Sequence, residues 1–154
     1  MQPDKEIIIT IRRMTAEDLS QIEPIENEAF STPWKMSTYE TILKDNDYDC
    51  IVAECEGCVA GYMTSLTTMD SSDVTNIAVK PEFRRLGIAD QLMNCMYDIL
   101  IRRNSTELFL EVRESNTPAR ALYTKHNFEE IGIRRAYYRN PTEDAVIMKK
   151  GLIC

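Results

Sequence analysis

The sequence is poor in several of the residues from which common sites are built. It has one histidine, one tryptophan and five glycines in 154 residues, and basic residues are in deficit, 18 against 25 acidic, for a net charge of −7. Such a field repels nucleic acid and favours basic partners, so no nucleic-acid groove is expected. No apolar run approaches the length of a membrane span. The opening residues, "MQPDKEIIITIRRM", place acids ahead of a short apolar patch that returns at once to Arg12 and Arg13, unlike a signal peptide. A cytoplasmic protein without a membrane partner is expected. The glycines form neither the G-x-x-x-x-G-K-[ST] of a P-loop nor the triplet of a dinucleotide fold. The lone histidine, His126, is the only partner available to a cysteine nucleophile. It falls in the last turn of an expected helix, where its role is that of a helix-end residue near the negative end of the dipole.

Five cysteines are present. Cys50, Cys55 and Cys58 have a C-x4-C-x2-C spacing found in iron–sulfur ligation. The stretch "DCIVAECEGCVAGYMTS" reads instead as two strands joined at Glu56-Gly57, which makes these residues part of a hairpin. An odd count also argues against a disulfide framework, and no metal site is expected. Cys95 falls on a helix and Cys154 ends the chain; both read as ordinary thiols.

What is present is the composition of a globular protein, 44% apolar and 28% charged, with no repeat or linker, so residues 1–154 are expected to form one domain. After a first strand, "EIIITIRR", Thr15 and Asp18 resemble a capping box ahead of a helix that contains Pro24, a candidate kink. "STPW" ends that helix and Ser37 is a candidate cap for a second. The hairpin covers about Asp47 to Thr67, and "SDVTNIAVK" is a fourth strand rich in β-branched residues. From Gly87 the period changes: Ile88, Leu92, Met96, Ile99 and Leu100 form one helical face that ends near Arg103. "TELFLEVR" returns to strand, "NTPARALYTKH" is a helix with Asn116 as N-cap, and two strands close the chain near "FEEIGIRRAYY" and "DAVIMKK". The order β-α-α-β-β-β-α-β-α-β-β is that of a mixed α/β domain.

Within this order, "KPEFRRLGIADQLM" sets two arginines and a glycine directly before an apolar helix. A helix N-terminus offers unpaired N–H groups and a positive dipole end, which bind anions. Gly87 permits close backbone approach, Ala89 is small, and Arg84 and Arg85 can add charge-assisted contacts. The pattern suits a diphosphate-bearing ligand, although a basic pair before a helix can equally be solvated surface.

The R-x-x-G-x-A of Arg84 to Ala89, following "NIAVKPEF", resembles the acetyl-CoA signature of the GNAT acetyltransferases. "NIAV", "LEVRESN", "ALY", "FSTPW" and "RRAYY…EDAVIM" resemble more narrowly a branch of bacterial enzymes, the RimI branch, that acetylate the N-terminus of a ribosomal protein. The resemblance covers nearly the whole chain. It implies the GNAT fold, a mixed and mostly antiparallel sheet whose fourth and fifth strands splay apart, flanked by helices, with acetyl-CoA as cosubstrate. It also implies that main-chain groups of Ile77, Ala78 and Val79 pair with the pantetheine arm, that N–H groups of Arg85, Leu86, Gly87, Ile88, Ala89 and Asp90 wrap the diphosphate beside Arg84, and that Asn116 contacts the cofactor. The family has Gly-Phe after the following helix where this chain has Asn127-Phe128. If the glycine serves as a left-handed cap, asparagine is the next-best residue for it.

Acetyl transfer to an amine requires that the amine lose a proton and is helped when the departing thiolate gains one. Glu111 interrupts the apolar strand "LFLEV", so it lies either on an exposed strand face or in a site; the resemblance implies a general base, acting through a water. Tyr123 shares a helical face with Ala119 and Leu122 and can be a core aromatic; the resemblance implies the general acid. Trp34, Tyr137 and Tyr138 match segments that flank the acceptor, though Trp34 can be a core plug and the tyrosines strand-edge aromatics. Arg134, Arg135 and Arg139 read as solvated strand-end charges. The expected reaction is direct transfer to the N-terminal alanine of a basic ribosomal protein, with a lysine ε-amine, a polyamine, or a non-catalytic acetyl-CoA-binding module as alternatives.

Overall fold

Glu56 and Gly57 carry positive φ angles of 52° and 80°, the backbone that a two-residue hairpin turn requires. They join β2 (Tyr48–Cys55) to β3 (Cys58–Thr68), so Cys50, Cys55 and Cys58 belong to a hairpin, as expected. The computed structural model describes residues 7–153; Cys154 and the beginning of the first expected strand lie outside the described residues. Before the hairpin come β1 (Ile9–Arg13), α1 (Leu19–Ala29) and α2 (Met36–Ile42). After it come β4 (Ser71–Val79), α3 (Ile88–Arg102), β5 (Glu107–Arg113), α4 (Thr117–Lys125), β6 (Glu129–Tyr138) and β7 (Glu143–Gly151). The expected order of elements is reproduced.

The strands form one seven-stranded sheet in the order β1-β2-β3-β4-β5-β7-β6. Every neighbouring pair is antiparallel except β4 and β5, which run parallel and are joined only from Ser71–Glu107 to Asp73–Phe109. Beyond that point the two strands part. A bulge accompanies the parting: Thr64 faces Asn76 and Ser65 faces Val74, which leaves Thr75 as the extra residue of β4. Bulges bend and twist the strand that carries them, and this one lies where β4 turns away from β5.

Helices cover both faces. β2 and β3 are therefore nearly continuous apolar runs, as strands buried on two sides must be. Ile51, Ala53 and Met63 meet α3 through Leu92, Met93, Met96 and Leu100, while Val52, Val59 and Tyr62 meet α1 and α2 through Ile22, Ile25, Tyr39 and Ile42. Each such aliphatic side chain, fully buried, contributes about 1.5–3 kcal/mol. Along β5 the alternation is strict: Leu108, Leu110 and Val112 are buried, which sends Phe109, Glu111 and Arg113 to the opposite face.

The ends of the helices explain themselves locally. The Thr15 N–H donates to the Asp18 carboxylate at 2.8 Å, so a short 3-10 turn leads into α1, and the helix runs on through Pro24 to Ala29. The expectation that Ser37 caps α2 is not met. Lys35 is the extended N-cap, because the N–H groups of Thr38 and Tyr39 turn back to its carbonyl, and Ser37 is already helical. Asn127 adopts φ 68° and the Phe128 N–H reaches the Tyr123 carbonyl at 3.0 Å. Asparagine thus makes the left-handed end of α4 that glycine commonly makes. Among the described residues no helix is long and apolar enough to cross a membrane.

Candidate active site

The parting of β4 and β5 exposes two inner strand edges. β4 keeps β3 on its other side and β5 keeps β7, so the main-chain groups facing the gap have no strand partner from Val74 and Leu110 onward. Such edges are templates for an extended chain with amide groups of its own. The outer end of β4 is held tightly. An added Cβ at Gly61 would lie 2.8 Å from the Ala78 carbonyl oxygen, and the Lys80 N–H donates to the Ala60 carbonyl at 2.7 Å.

Where β4 ends, a 3-10 turn at Pro81–Phe83 leads to Arg85 at φ 66° and Gly87 at φ 74°, the N-cap of α3. Two left-handed residues flank Leu86, and tight turns of this kind can form anion-binding concavities from main-chain N–H groups. A left-handed arginine costs about 1–2 kcal/mol, which the surrounding turn must offset. A cavity of about 450 Å³ lies against this turn, lined on one side by Val79, Arg84, Arg85, Gly87, Ala89 and Asp90. Ile88 also borders it, but its side chain is in the core, as is that of Ala78, so only their main-chain groups can face a ligand. Leu86 is partly exposed at the turn, while Ile77 and Ala78 line the strand edge rather than the cavity.

The opposite wall of the cavity is Pro118, Ala119 and Leu122 of α4, together with Phe83. Sequence reading left these four out of the site; the sign of them was the helical spacing of Ala119 and Leu122, read there as a core face. Asn116 caps α4, its side-chain oxygen accepting from the Ala119 N–H at 3.2 Å. His126, at the other end of α4, is more than a helix-end residue. Its Nε2 lies 2.6 Å from the Asp90 carboxylate and its Nδ1 lies 2.9 Å from the Tyr97 hydroxyl. This hydrogen bond holds the Asp90 carboxyl below its usual range, and it fastens α4 to the first turn of α3.

Tyr123 is 7% exposed, with its ring against Phe128 at 5.7 Å. Burial pushes its hydroxyl up to about 12, so it stays protonated at neutral pH. No hydrogen-bond partner among the described residues occupies that hydroxyl, which leaves it able to donate to a ligand.

Glu111 faces the other side of the sheet. Arg134 Nε lies 3.4 Å from its carboxylate, and the Tyr137 hydroxyl hydrogen bonds to it, which raises the Tyr137 pKa. Arg134 also lies 5.5 Å from the Tyr137 ring; it is an exposed strand charge, as expected, that additionally borders Glu111 next to the register shift of β6. Burial, with help from the Glu111 charge, raises the Asp73 carboxyl, at the fork of the two strands. Tyr138 is half-buried and its pKa is raised by burial first, then by the nearby Glu111 charge and by Tyr137. Tyr137 and Tyr138 are the end of β6, with ring centroids 5.1 Å apart. Trp34, in the connection between α1 and α2, is half-buried with its ring 5.5 Å from Tyr39, so it plugs the edge of the core between these helices and the sheet. Among the described residues no group of three or more histidine, cysteine, aspartate or glutamate side chains is placed to hold a metal ion.

A parallel strand pair that parts, with β4 leading through a left-handed turn to the N-terminus of α3, is the frame of the GNAT acetyltransferases. Residues 19–128 match the acetyltransferase (GNAT) family, and the chain belongs to that family of enzymes. A Bacillus subtilis (strain 168) relative is 37% identical over 139 residues, covering 90% of this chain and 92% of that protein. The ribosomal protein bS18-alanine N-acetyltransferase of Escherichia coli (strain K12) is 34% identical over 143 residues, covering 90% and 95%. The crystal structure of the Escherichia coli ribosomal-protein-S18-alanine N-acetyltransferase matches with a TM-score of 0.86 at 32% identity, covering 96% of each chain. Arabidopsis thaliana NAA60 in complex with acetyl-CoA shares the fold at 17% identity, with a TM-score of 0.86.

Proposed function

We propose that this enzyme transfers the acetyl group of acetyl-CoA to the N-terminal α-amine of a protein, and that its acceptor is the N-terminal alanine of ribosomal protein bS18. The observation that carries the acceptor is the 34% identity to the Escherichia coli enzyme over 90% of this chain. The acidic chain, with its net charge of −7, suits a basic ribosomal substrate.

The residues present fit acetyl-CoA. The left-handed turn at Arg85 and Gly87, the N–H groups from Arg85 through Asp90 and the guanidinium of Arg84 suit a diphosphate. The free edge at Ile77, Ala78 and Val79 suits the amides of the pantetheine arm, and Asn116 caps α4, whose Pro118 and Ala119 line the same cavity. When bound, acetyl-CoA supplies an activated thioester carbonyl and a sulfur leaving group. Main-chain N–H near Val79 polarises that carbonyl. Glu111 takes the proton of the attacking amine through a water, and Tyr123 donates its proton to the departing sulfur. Trp34, Tyr137 and Tyr138 line the approach of the acceptor. Transfer is direct, without an acyl-enzyme.

Mass spectrometry after incubation with acetyl-CoA and two basic peptides tests this reading. One peptide has a free N-terminal alanine and no lysine; the other has a blocked N-terminus and internal lysines. A gain of one acetyl group on the first alone supports the proposal. Gain on the second alone makes the enzyme a lysine acetyltransferase, and gain on neither leaves a small amine as acceptor or a binding module without turnover.

A further inference from the structure

Arg113 ends β5 two residues beyond Glu111 and on the same face. Its guanidinium is divided among three segments. Nη2 donates to the Ser31 hydroxyl at 2.8 Å and to the Arg139 carbonyl at 2.8 Å, while Nη1 donates to the Pro141 carbonyl at 3.0 Å and to the Glu143 carboxylate at 3.2 Å. The guanidinium carbon also stands 4.6 Å from the centroid of the Tyr138 ring. Ser31 completes the link by donating to the Arg139 carbonyl at 3.0 Å. The connection between α1 and α2 is thereby tied to the connection between β6 and β7, although 108 residues separate Ser31 from Arg139. The first connection is pinned again further along, where the Trp34 N–H donates to Glu26 at 2.9 Å.

We infer that Arg113 is a positioning residue that sets which amine the enzyme accepts; this rests on the acceptor reading given above. The clasp gathers Ser31, Tyr138 and Arg139 into a rim at the end of β5, on the face that Glu111 shares. A chain terminus can enter such a rim end-on. A lysine within a chain brings main chain leaving in two directions, and the clasped loops stand in its way. A planar fork with several N–H groups is needed to bridge these acceptors at once, which an ammonium cannot do.

The test compares the full-length wild type with Arg113→Gln, Arg113→Lys and Ser31→Ala on the two peptides described above, measuring kcat and KM for each peptide and for acetyl-CoA, with a thermal midpoint for every variant. The expected result for Arg113→Gln is a KM for the alanine peptide raised about tenfold, with the KM for acetyl-CoA within about twofold. The preference for the alanine peptide over the lysine peptide falls by a similar factor. Arg113→Lys, which keeps a positive charge beside Glu143, follows Arg113→Gln; a role limited to balancing that charge would instead be rescued by lysine. Ser31→Ala, an exposed single-hydroxyl change, shifts the peptide KM and the preference in the same direction by about threefold, and it decides the matter if Arg113→Gln fails to fold. Unchanged peptide KM and preference in Arg113→Lys and Ser31→Ala overturn the inference while leaving N-terminal transfer standing. A wild type that does not acetylate the alanine peptide overturns the acceptor reading itself, and this inference with it.

Discussion

The carboxylate of Glu26 lies 3.3 Å from the side-chain nitrogen of Asn76, and this contact joins α1 to β4 just past the point where β4 leaves β5. Glu26 is 1% exposed and accepts from three further donors: the Tyr39 hydroxyl at 2.7 Å, the Tyr62 hydroxyl at 2.6 Å and the Trp34 N–H at 2.9 Å. Every partner donates, so truncation strands three buried donors and one part-buried donor at once. Glu26→Ala is expected to destabilise the fold by about 3–5 kcal/mol, measured by denaturant unfolding. Glu26→Gln keeps one acceptor oxygen for Trp34, and the tyrosine hydroxyls can rotate to accept from its amide, so a loss of about 1–2 kcal/mol is expected. Equal losses for the two variants would refute this account of the hub.

Gly61 is required by close approach rather than by a turn. Its added Cβ would meet the Ala78 carbonyl oxygen at 2.8 Å and the Val79 Cα at 3.3 Å, both main-chain atoms of the strand that borders the gap between β4 and β5. Neither can rotate aside, so Gly61→Ala must displace β4. The expected effects are a loss of about 1–3 kcal/mol of stability and a weaker association with acetyl-CoA by about tenfold, read by calorimetric titration. Wild-type affinity in a stable variant would show that β4 tolerates the shift without consequence for the cleft.

Local signals in the sequence accounted for the frame and for the turn ahead of α3. The change of period at Gly87, the β-branched run of β4 and the turn at Glu56-Gly57 each follow from short-range chemistry, and the structure places an element at each. The left-handed cap at Asn127 was also readable, because few residues adopt that backbone. What could not be read was long-range. Glu26 looks like one acid among several on an exposed helix until Tyr62 and Asn76 arrive from 36 and 50 residues away. Nothing local in the sequence announces that the exposed Arg134 also stands beside Glu111. Ala119 and Leu122 look like core until α4 is set across from the turn at Arg85. Ser37 misled for the opposite reason: it is a good cap chemically, but the chain is already helical when it reaches it.

Asp18 gives the fold a dependence on acid. It is 4% exposed and receives both terminal nitrogens of Arg12, at 2.8 and 2.9 Å. The hydrogen bond from Arg12, more than any other cause, holds its carboxyl below the ordinary value of 3.8. A depressed carboxylate contributes stability that is fully present above its unfolded value and is lost as pH falls through its folded value. Asp18→Asn is therefore expected to cost about 1–3 kcal/mol at pH 6, and the gap between it and the wild type is expected to close as the pH is lowered below 3.8. Unfolding at a series of pH values measures this; a gap that persists unchanged into strong acid would mean that the pair contributes by packing alone.

Tyr123 ties the proposed chemistry to an alkaline prediction. Burial lifts its hydroxyl from 10.0 to about 12, so the group that is to protonate the departing sulfur keeps its proton where a surface tyrosine would have lost it. Turnover in the wild type should not decline through loss of this proton between pH 9 and 11. Tyr123→Phe, which preserves the ring contact with Phe128, should lower kcat by about 10²-fold or more, with the KM for acetyl-CoA little changed. Stability carries the same signature with the sign reversed from Asp18. A raised pKa contributes stability that is complete below 10 and disappears as pH rises through 12, because the unfolded chain ionises first. The phenylalanine variant has no such proton to lose, so its stability relative to the wild type should improve from pH 10 upward. If kcat in the wild type falls with a midpoint near 10 and Tyr123→Phe removes that limb, the hydroxyl is titrating as an exposed group and its burial is not what keeps the acid ready. If the variant keeps full turnover, the proton comes from elsewhere, and the tyrosine serves α4 and β5 only as packing.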